Sequence, residues 1–140
     1  MAMELKRIAE SHSGLLRPID VVESARSENS ALHSWFEWNE SKAAQEYRLD
    51  QARRLIRVNV SYLQSENKIV PYRVFVSLSA DRLAMGGGYR DTVSVMADED
   101  MRQFLLADAL RDLQRFQLKY QMIRELQAVF EEIKRVQAVV

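Results

Sequence analysis

Apolar positions along the chain follow helical spacing at first, switch to strict alternation in the middle, and return to helical spacing towards the end. The first run predicts a short helix over 3–12, with Met3, Leu5 and Ile8 on one side and a stop at Ser13-Gly14. Pro18 suits a first helical position, where a missing N–H costs nothing. A second helix is therefore expected over 18–26, with Ile19, Val22 and Ala25 facing inward. The stretch 27–39 begins polar and turns aromatic at Trp35, Phe36 and Trp38, which predicts a short helix over 30–37 that groups Leu32, Trp35 and Phe36. Asn39 is the expected N-cap of a longer helix over 40–57. That helix gathers Lys42, Glu46, Asp50, Arg53 and Arg57 in one sector and spreads Ala43, Ala44, Tyr47, Ala52, Leu55 and Ile56 over the rest. Asp50 and Arg54 stand at the favourable i,i+4 spacing for an ion pair.

At Val58 the period falls to two. Val58, Val60 and Tyr62 alternate with Asn59 and Ser61, and after the polar segment Ser65–Lys68 Val70, Tyr72, Val74, Val76 and Leu78 alternate with Pro71, Arg73, Phe75 and Ser77. Two such runs predict an antiparallel hairpin, with Pro71 at an edge or at a strand start because it has no N–H to donate. A third strand over Tyr89–Met96 would complete a small sheet, and the Gly86-Gly87-Gly88 run before it is expected to be a loop. Asp98 is the cap of a last helix. Its apolar stripe runs Leu106, Leu110, Leu113, Phe116, Tyr120, Ile123, Leu126, Phe130, Ile133, Val136 and Val140. A continuous helix over 98–138 would be about 60 Å long at about 1.5 Å per residue. That is longer than so small a domain is wide, so either the helix breaks, near Gln117–Gln121, or much of its stripe packs against another chain; with no glycine or proline to interrupt it, one long helix and self-association are expected.

Composition narrows the functions. The 140 residues carry 20 Lys+Arg against 20 Asp+Glu, balanced within 1–57, 58–97 and 98–140 alike, so nothing in the overall charge drives the chain towards polyanions. The absence of cysteine removes thiolate nucleophiles and thiolate-held metals. The charged N-terminus is not that of a secretory leader, and no apolar run is long enough for a span, which sets the expected location in the cytoplasm of a bacterial host.

Candidate chemistry is sparse. AMGGGYRD matches no phosphate-loop pattern, although Gly86, Gly87, Gly88 and Arg90 together make a possible anion loop. His33 and Glu37 have a metal-ligating spacing but no third ligand, and Ser11-His12-Ser13 lacks a nucleophile elbow. The expectation is no enzyme, no metal and no cofactor. Trp35, Phe36 and Trp38 could stack bases, but their sequence neighbours Glu37 and Glu40 are acidic, which favours a core role. Arg48, Arg53, Arg54 and Arg57 precede the hairpin in an order that resembles a helix-turn-helix with a wing, and they are the candidate phosphate contacts. The 13 residues between the two helices exceed the usual tight turn.

The segment from Leu15 to Arg57 resembles uncharacterised proteins of tailed bacteriophages and prophages. The residues that carry the likeness are Pro18, Val21-Val22, Ala25-Arg26, Leu32-His33, Phe36-Glu37-Trp38, Ala43-Ala44, Tyr47-Arg48 and Gln51-Ala52-Arg53, continued by VSLSADR and GGGYRD. The resemblance implies a phage context and no established activity, and it transfers no functional residue. Taken together, the expected fold is α+β, a single domain with an HTH-like N-terminal helical cluster over 1–57. A small antiparallel sheet and Gly-rich loop follow over 58–97, and a long oligomerisation helix over 98–140. The first functional expectation is a non-enzymatic, oligomeric phage-type accessory protein, akin to a packaging adaptor or regulator, that associates with double-stranded DNA. The alternative is a protein-interaction module, a virion assembly component or an inhibitor of a host protein. A third is a small-ligand binder or enzyme using the Gly86–Arg90 loop.

Overall fold

The computed structural model describes residues 1–38, 41–65, 68–83 and 86–139, without the side chains of Lys42, Ala43, Ser65 and Val139. The chain divides into two compact units, Met1–Ala97 and Asp98–Val140. The chain has the expected α+β ingredients: helices at the start, small antiparallel sheets, and a long helix towards the end.

In the first unit, α1 (Ala2–Ser11) buries Leu5, Ile8 and Ala9. Met3 was expected on that side but is exposed, since at about 100° per residue it lies well round the helix from Ile8 while Leu5 lies close to it. Ser13 and Gly14 both take positive φ and end the helix, as expected. Helix α2 (Pro18–Ala25) buries Pro18, Val21, Val22 and Ala25, the i, i+3, i+4, i+7 face. Ile19, expected inside, falls outside that face and is exposed. The short helix expected over 30–37 is a single 3₁₀ turn, His33–Trp35, because Phe36 is already extended. Asn39 lies outside the described residues. The observed N-cap of α3 (Lys42–Val58) is Ser41, whose hydroxyl accepts the Ala44 N–H at 3.2 Å.

Strands β1 (Val60–Ser65) and β2 (Lys68–Arg73) form a two-stranded antiparallel sheet with Tyr62 opposite Pro71 and Leu63 opposite Val70. The tip residues 66 and 67 lie outside the described set. The second alternating run does not stay one strand. Val74 donates its N–H to Asn59 at 3.0 Å and accepts from Thr92 at 2.8 Å, so the chain changes partner there. It continues as β3 (Phe75–Val76), which pairs with β4 (Arg90–Asp91) in a second sheet. Between them a helix absent from the sequence expectation, α4 (Ser79–Leu83), leads to the glycine loop. The third strand expected over Tyr89–Met96 is limited to Arg90–Asp91. The Asp91 carboxylate accepts the Ser94 N–H at 3.0 Å and starts α5 (Thr92–Ala97), so a local cap overrides the β-propensity of Thr92, Val93 and Val95. The core joins Leu5, Ile8, Leu16, Val21, Ala25, Leu32, Ile56 and Phe75. Each large aliphatic side chain among them contributes about 1.5–3 kcal/mol.

In the second unit, α6 (Glu99–Tyr120) starts at Asp98, whose side chain accepts the Met101 N–H at 2.9 Å. The helix expected to run unbroken to 138 stops at Tyr120. A 3₁₀ turn (Arg124–Leu126) follows, then α7 (Gln127–Val139). Without glycine or proline in the break, side chains make it. The Gln127 amide donates to the carbonyls of Gln121 (3.0 Å) and Ile123 (3.3 Å), and the Phe116 ring meets Phe130 edge-on at 6.3 Å. Phe130 and Ile133 are thereby buried. Among the described residues no helix is long and apolar enough to cross a membrane.

Candidate functional site

The four arginines expected to read phosphate separate into different environments on α3. Arg48 is 3% exposed. Its Nη1 donates to the Glu37 carbonyl at 2.8 Å, and its guanidinium lies over the Trp38 ring, 5.5 Å from the centroid. Trp38 donates its Nε1–H to His33 O at 3.0 Å and stacks on the His33 ring at 5.0 Å. Arg48 therefore braces the aromatic segment from within and, contrary to the sequence expectation, is too buried to contact nucleic acid. Arg53 bonds Asp50 at 2.6 Å, in place of the expected Asp50–Arg54 pair. Arg57 turns its Nε back to the Arg53 carbonyl at 3.1 Å. Arg54 is exposed and points into a groove of about 280 Å³ with Trp35, Tyr47, Gln51, Leu55 and Val58.

Tyr47, Gln51, Arg54 and Val58 are spaced i, i+4, i+7, i+11 and so share one stripe of α3, beside the face that buries Ala44, Ala52, Leu55 and Ile56. The 3₁₀ turn at His33–Trp35 brings Trp35 to that stripe. Of the aromatic triplet, Phe36 is buried and Trp38 packs on the core, as the core reading expects, whereas Trp35 is 53% exposed. Proximity in sequence hid this grouping, because the residues near Trp35 in space come from a turn more than ten positions away.

The other candidates disperse. The His33 Nδ1 lies 2.9 Å from the Ala25 carbonyl, so it carries the proton there, and the extended Phe36 takes Glu37 off His33's helical turn. Among the described residues no group of three or more metal-type ligands forms. Ser11 Oγ lies 3.1 Å from His12 Nδ1, but the hydroxyl donates to the Ile8 carbonyl at 2.8 Å and Nδ1 lies 2.9 Å from the same oxygen, where it carries a proton and so is no base for Ser11.

In the glycine loop, Gly86 and Gly87 take positive φ, while a Cβ on Gly88 would stand 2.4 Å from Leu15 Cδ1. Gly88 is there for close packing. Arg90 forms a bidentate pair with the buried Asp81 at 2.8 and 2.7 Å, which raises the arginine's pKa, and the Tyr89 N–H is taken by Leu16 O. The possible anion loop of Gly86, Gly87, Gly88 and Arg90 thus has its cation committed to a carboxylate. Nearby, Asp91 lies 2.8 Å from Lys6 Nζ. Burial pushes its carboxyl up, but the bonds from Lys6 and Ser94 outweigh that and hold it below the usual carboxylate value.

Two apolar surfaces stay uncovered. On the first sheet, Tyr62 and Ile69 lie on one face and Leu63 and Val70 on the other, and all four are exposed. In the second unit, α6 buries only Asp108 among its described residues, bonded to Arg111. The expected interface stripe divides. Phe130 and Ile133 are buried; Leu106, Leu110, Tyr120 and Leu126 are partly covered; Leu113, Phe116 and Ile123 are exposed. Phe104 and Leu118, on the opposite side of α6, and Met122, in the break after it, are more exposed still, Met122 at 90%. The regular spacing of the first stripe hides that second set. No protein-family model, curated protein or solved structure matches the chain.

Proposed function

We propose that the protein is a non-enzymatic, self-associating accessory protein of the tailed-phage type, with Asp98–Val140 as its association element. The observation that carries this reading is the amount of apolar surface this unit leaves in water. Leu113, Phe116, Leu118, Met122, Ile123, Val129 and Val136 are all at least 39% exposed. Contiguous exposed apolar surface is unfavourable in a lone soluble chain and is the usual mark of an association site. The break at Tyr120 covers Phe130 and Ile133 within the chain and leaves the rest for a partner.

The uncovered sheet adds to the same reading, since a two-stranded hairpin with apolar residues on both faces is only marginally stable in water by itself. Within this class the roles remain a virion assembly component, a packaging adaptor or an inhibitor of a host protein. Duplex DNA takes second place. With Arg48 buried and Arg53 on Asp50, only Arg54 and Arg57 of the four are left to meet phosphate, on a chain of zero net charge. Light scattering at micromolar concentration tests the proposal. The expected mass is a multiple of 16.3 kDa; a monomer would overturn it. Retardation of duplex DNA in a gel at about 50 mM salt, where phosphate contacts are strongest, would restore the DNA reading.

A further inference from the structure

The groove on α3 differs in chemistry from the hollows beside Ser24, Ile19 and Met3, each of which has a glutamate in its lining. The hollow by Ser24, Ser27 and Asn29 is larger, about 370 Å³, but its charges are Glu4 and Arg7, which neutralise each other at 2.5 Å. The groove has two half-exposed aromatic rings, Trp35 and Tyr47, the amide of Gln51, and one formal charge, Arg54, with no carboxylate in its lining. Among the described residues Arg54 makes no hydrogen bond or ion pair, in contrast to Arg53 and Arg57 on the same helix. Exposed indole and phenol rings present π-faces to which another planar ring stacks, whatever its substituents. A guanidinium offers parallel N–H donors that match the oxygens of a phosphate. A volume of about 280 Å³ lies just below the usual range for small-molecule sites of about 300–1,000 Å³, room for one ring system with a charged substituent.

We infer that this groove binds a single nucleotide, its base stacked on Trp35 or Tyr47 and its phosphate on Arg54. The inference stands on the first unit alone and does not depend on self-association through the second. A lone cation in the groove fits one phosphate, which separates this site from a surface for duplex DNA, where bases are stacked away and many phosphates are contacted.

The two tryptophans give a direct readout. Trp38 has its indole N–H on the His33 carbonyl, whereas Trp35 lines the groove. In ¹⁵N-labelled full-length protein, titration with a nucleoside monophosphate is expected to shift the Trp35 indole signal and leave that of Trp38 in place. Arg54→Gln is expected to weaken binding roughly tenfold, as is replacing the nucleotide by the uncharged nucleoside, the loss of about one charge-assisted contact. Tyr47→Leu should weaken it by a similar factor, with an unchanged melting temperature as the check on folding. A short single strand that binds more tightly per nucleotide assigns the nucleotide to a nucleic acid; equal binding assigns it to the free pool. Three results overturn the inference. The first is no shift of the Trp35 signal at about 10 mM nucleotide, far weaker than stacking plus a phosphate contact would give. The second is an equal shift with ribose phosphate, which would mean plain anion contact. The third is a Trp35 signal that moves on dilution of the protein alone, which would make the groove a contact between copies.

Discussion

Helices α3 and α6 look alike as sequence, two long amphipathic runs with capped starts and interleaved charges, but they are used in opposite ways. In 17 residues α3 buries Ala44, Arg48, Ala52, Leu55 and Ile56 among those described, while in 22 residues α6 buries Asp108 alone. The first helix is a finished core element that even takes an arginine inside, because the Glu37 carbonyl and the Trp38 ring replace the water it loses. The second has apolar side chains on two sides, and its own unit covers only part of one. An apolar stripe therefore states that a helix will be covered, not by what. A charged residue on a helix facing a core is not evidence of a binding site.

The largest expected effect tests the finished half. Ile56→Ala removes a fully buried side chain and should cost about 2–5 kcal/mol in urea unfolding; Leu118→Ala, at an exposed site, should stay within about 0.5 kcal/mol at concentrations where the chain is dissociated. Equal losses from the two would erase the contrast between the helices. Next in size is Arg48→Ala, which strips the bonded partner from Glu37 O and should cost about 1–3 kcal/mol. If Arg48 were a phosphate contact, its removal would leave the melting temperature unchanged, and calorimetry distinguishes the two. The caps come third. Ser41→Ala at α3 and Asp98→Ala at α6 should each cost about 1 kcal/mol, and a loss only at Ser41 would mean that α6 is held by contacts that make its cap redundant.

The smallest effect concerns pH. The Asp91 carboxyl has a folded pKa below its unfolded value, so the Lys6–Asp91 bond contributes fully above the unfolded value and is lost as pH falls through the folded one. The difference in urea midpoint between the natural chain and Lys6→Met should therefore be constant near neutrality and shrink as pH falls below the ordinary carboxylate range. A difference that holds across that range would place the effect of Lys6 outside the ion pair.

Much of the fold was readable where short-range signals agree. Pro18 opens α2, Ser13-Gly14 closes α1, Asp98 caps α6, and alternation from Val60 gives β1 and β2. What escaped depends on contacts distant in sequence or on one side chain outvoting its neighbours. Asp91 converts a β-prone stretch into α5 by accepting the Ser94 N–H, and Gln127 ends α6 by binding carbonyls behind it. Of the candidate site, Arg54 was among the residues singled out and Trp35 was weighed as a stacking ring. The reason to set Trp35 aside, its acidic sequence neighbours, fails because Tyr47, Gln51 and Arg54 are its neighbours in space. Arg48 could not be told from Arg54 without knowing which side of α3 meets the core.

The partner exchange at Val74 has a kinetic consequence. The ladder of β1 and β2 ends at the bond between Asn59 and Val74, and among the described residues neither strand has a third neighbour, so the ribbon can open without disturbing the core. Its amide protons will exchange through that local opening, whereas Val74, tied to Asn59 on one side and Thr92 on the other, waits for the whole first unit to unfold. Two exchange regimes one residue apart divide the ribbon from the body that carries it.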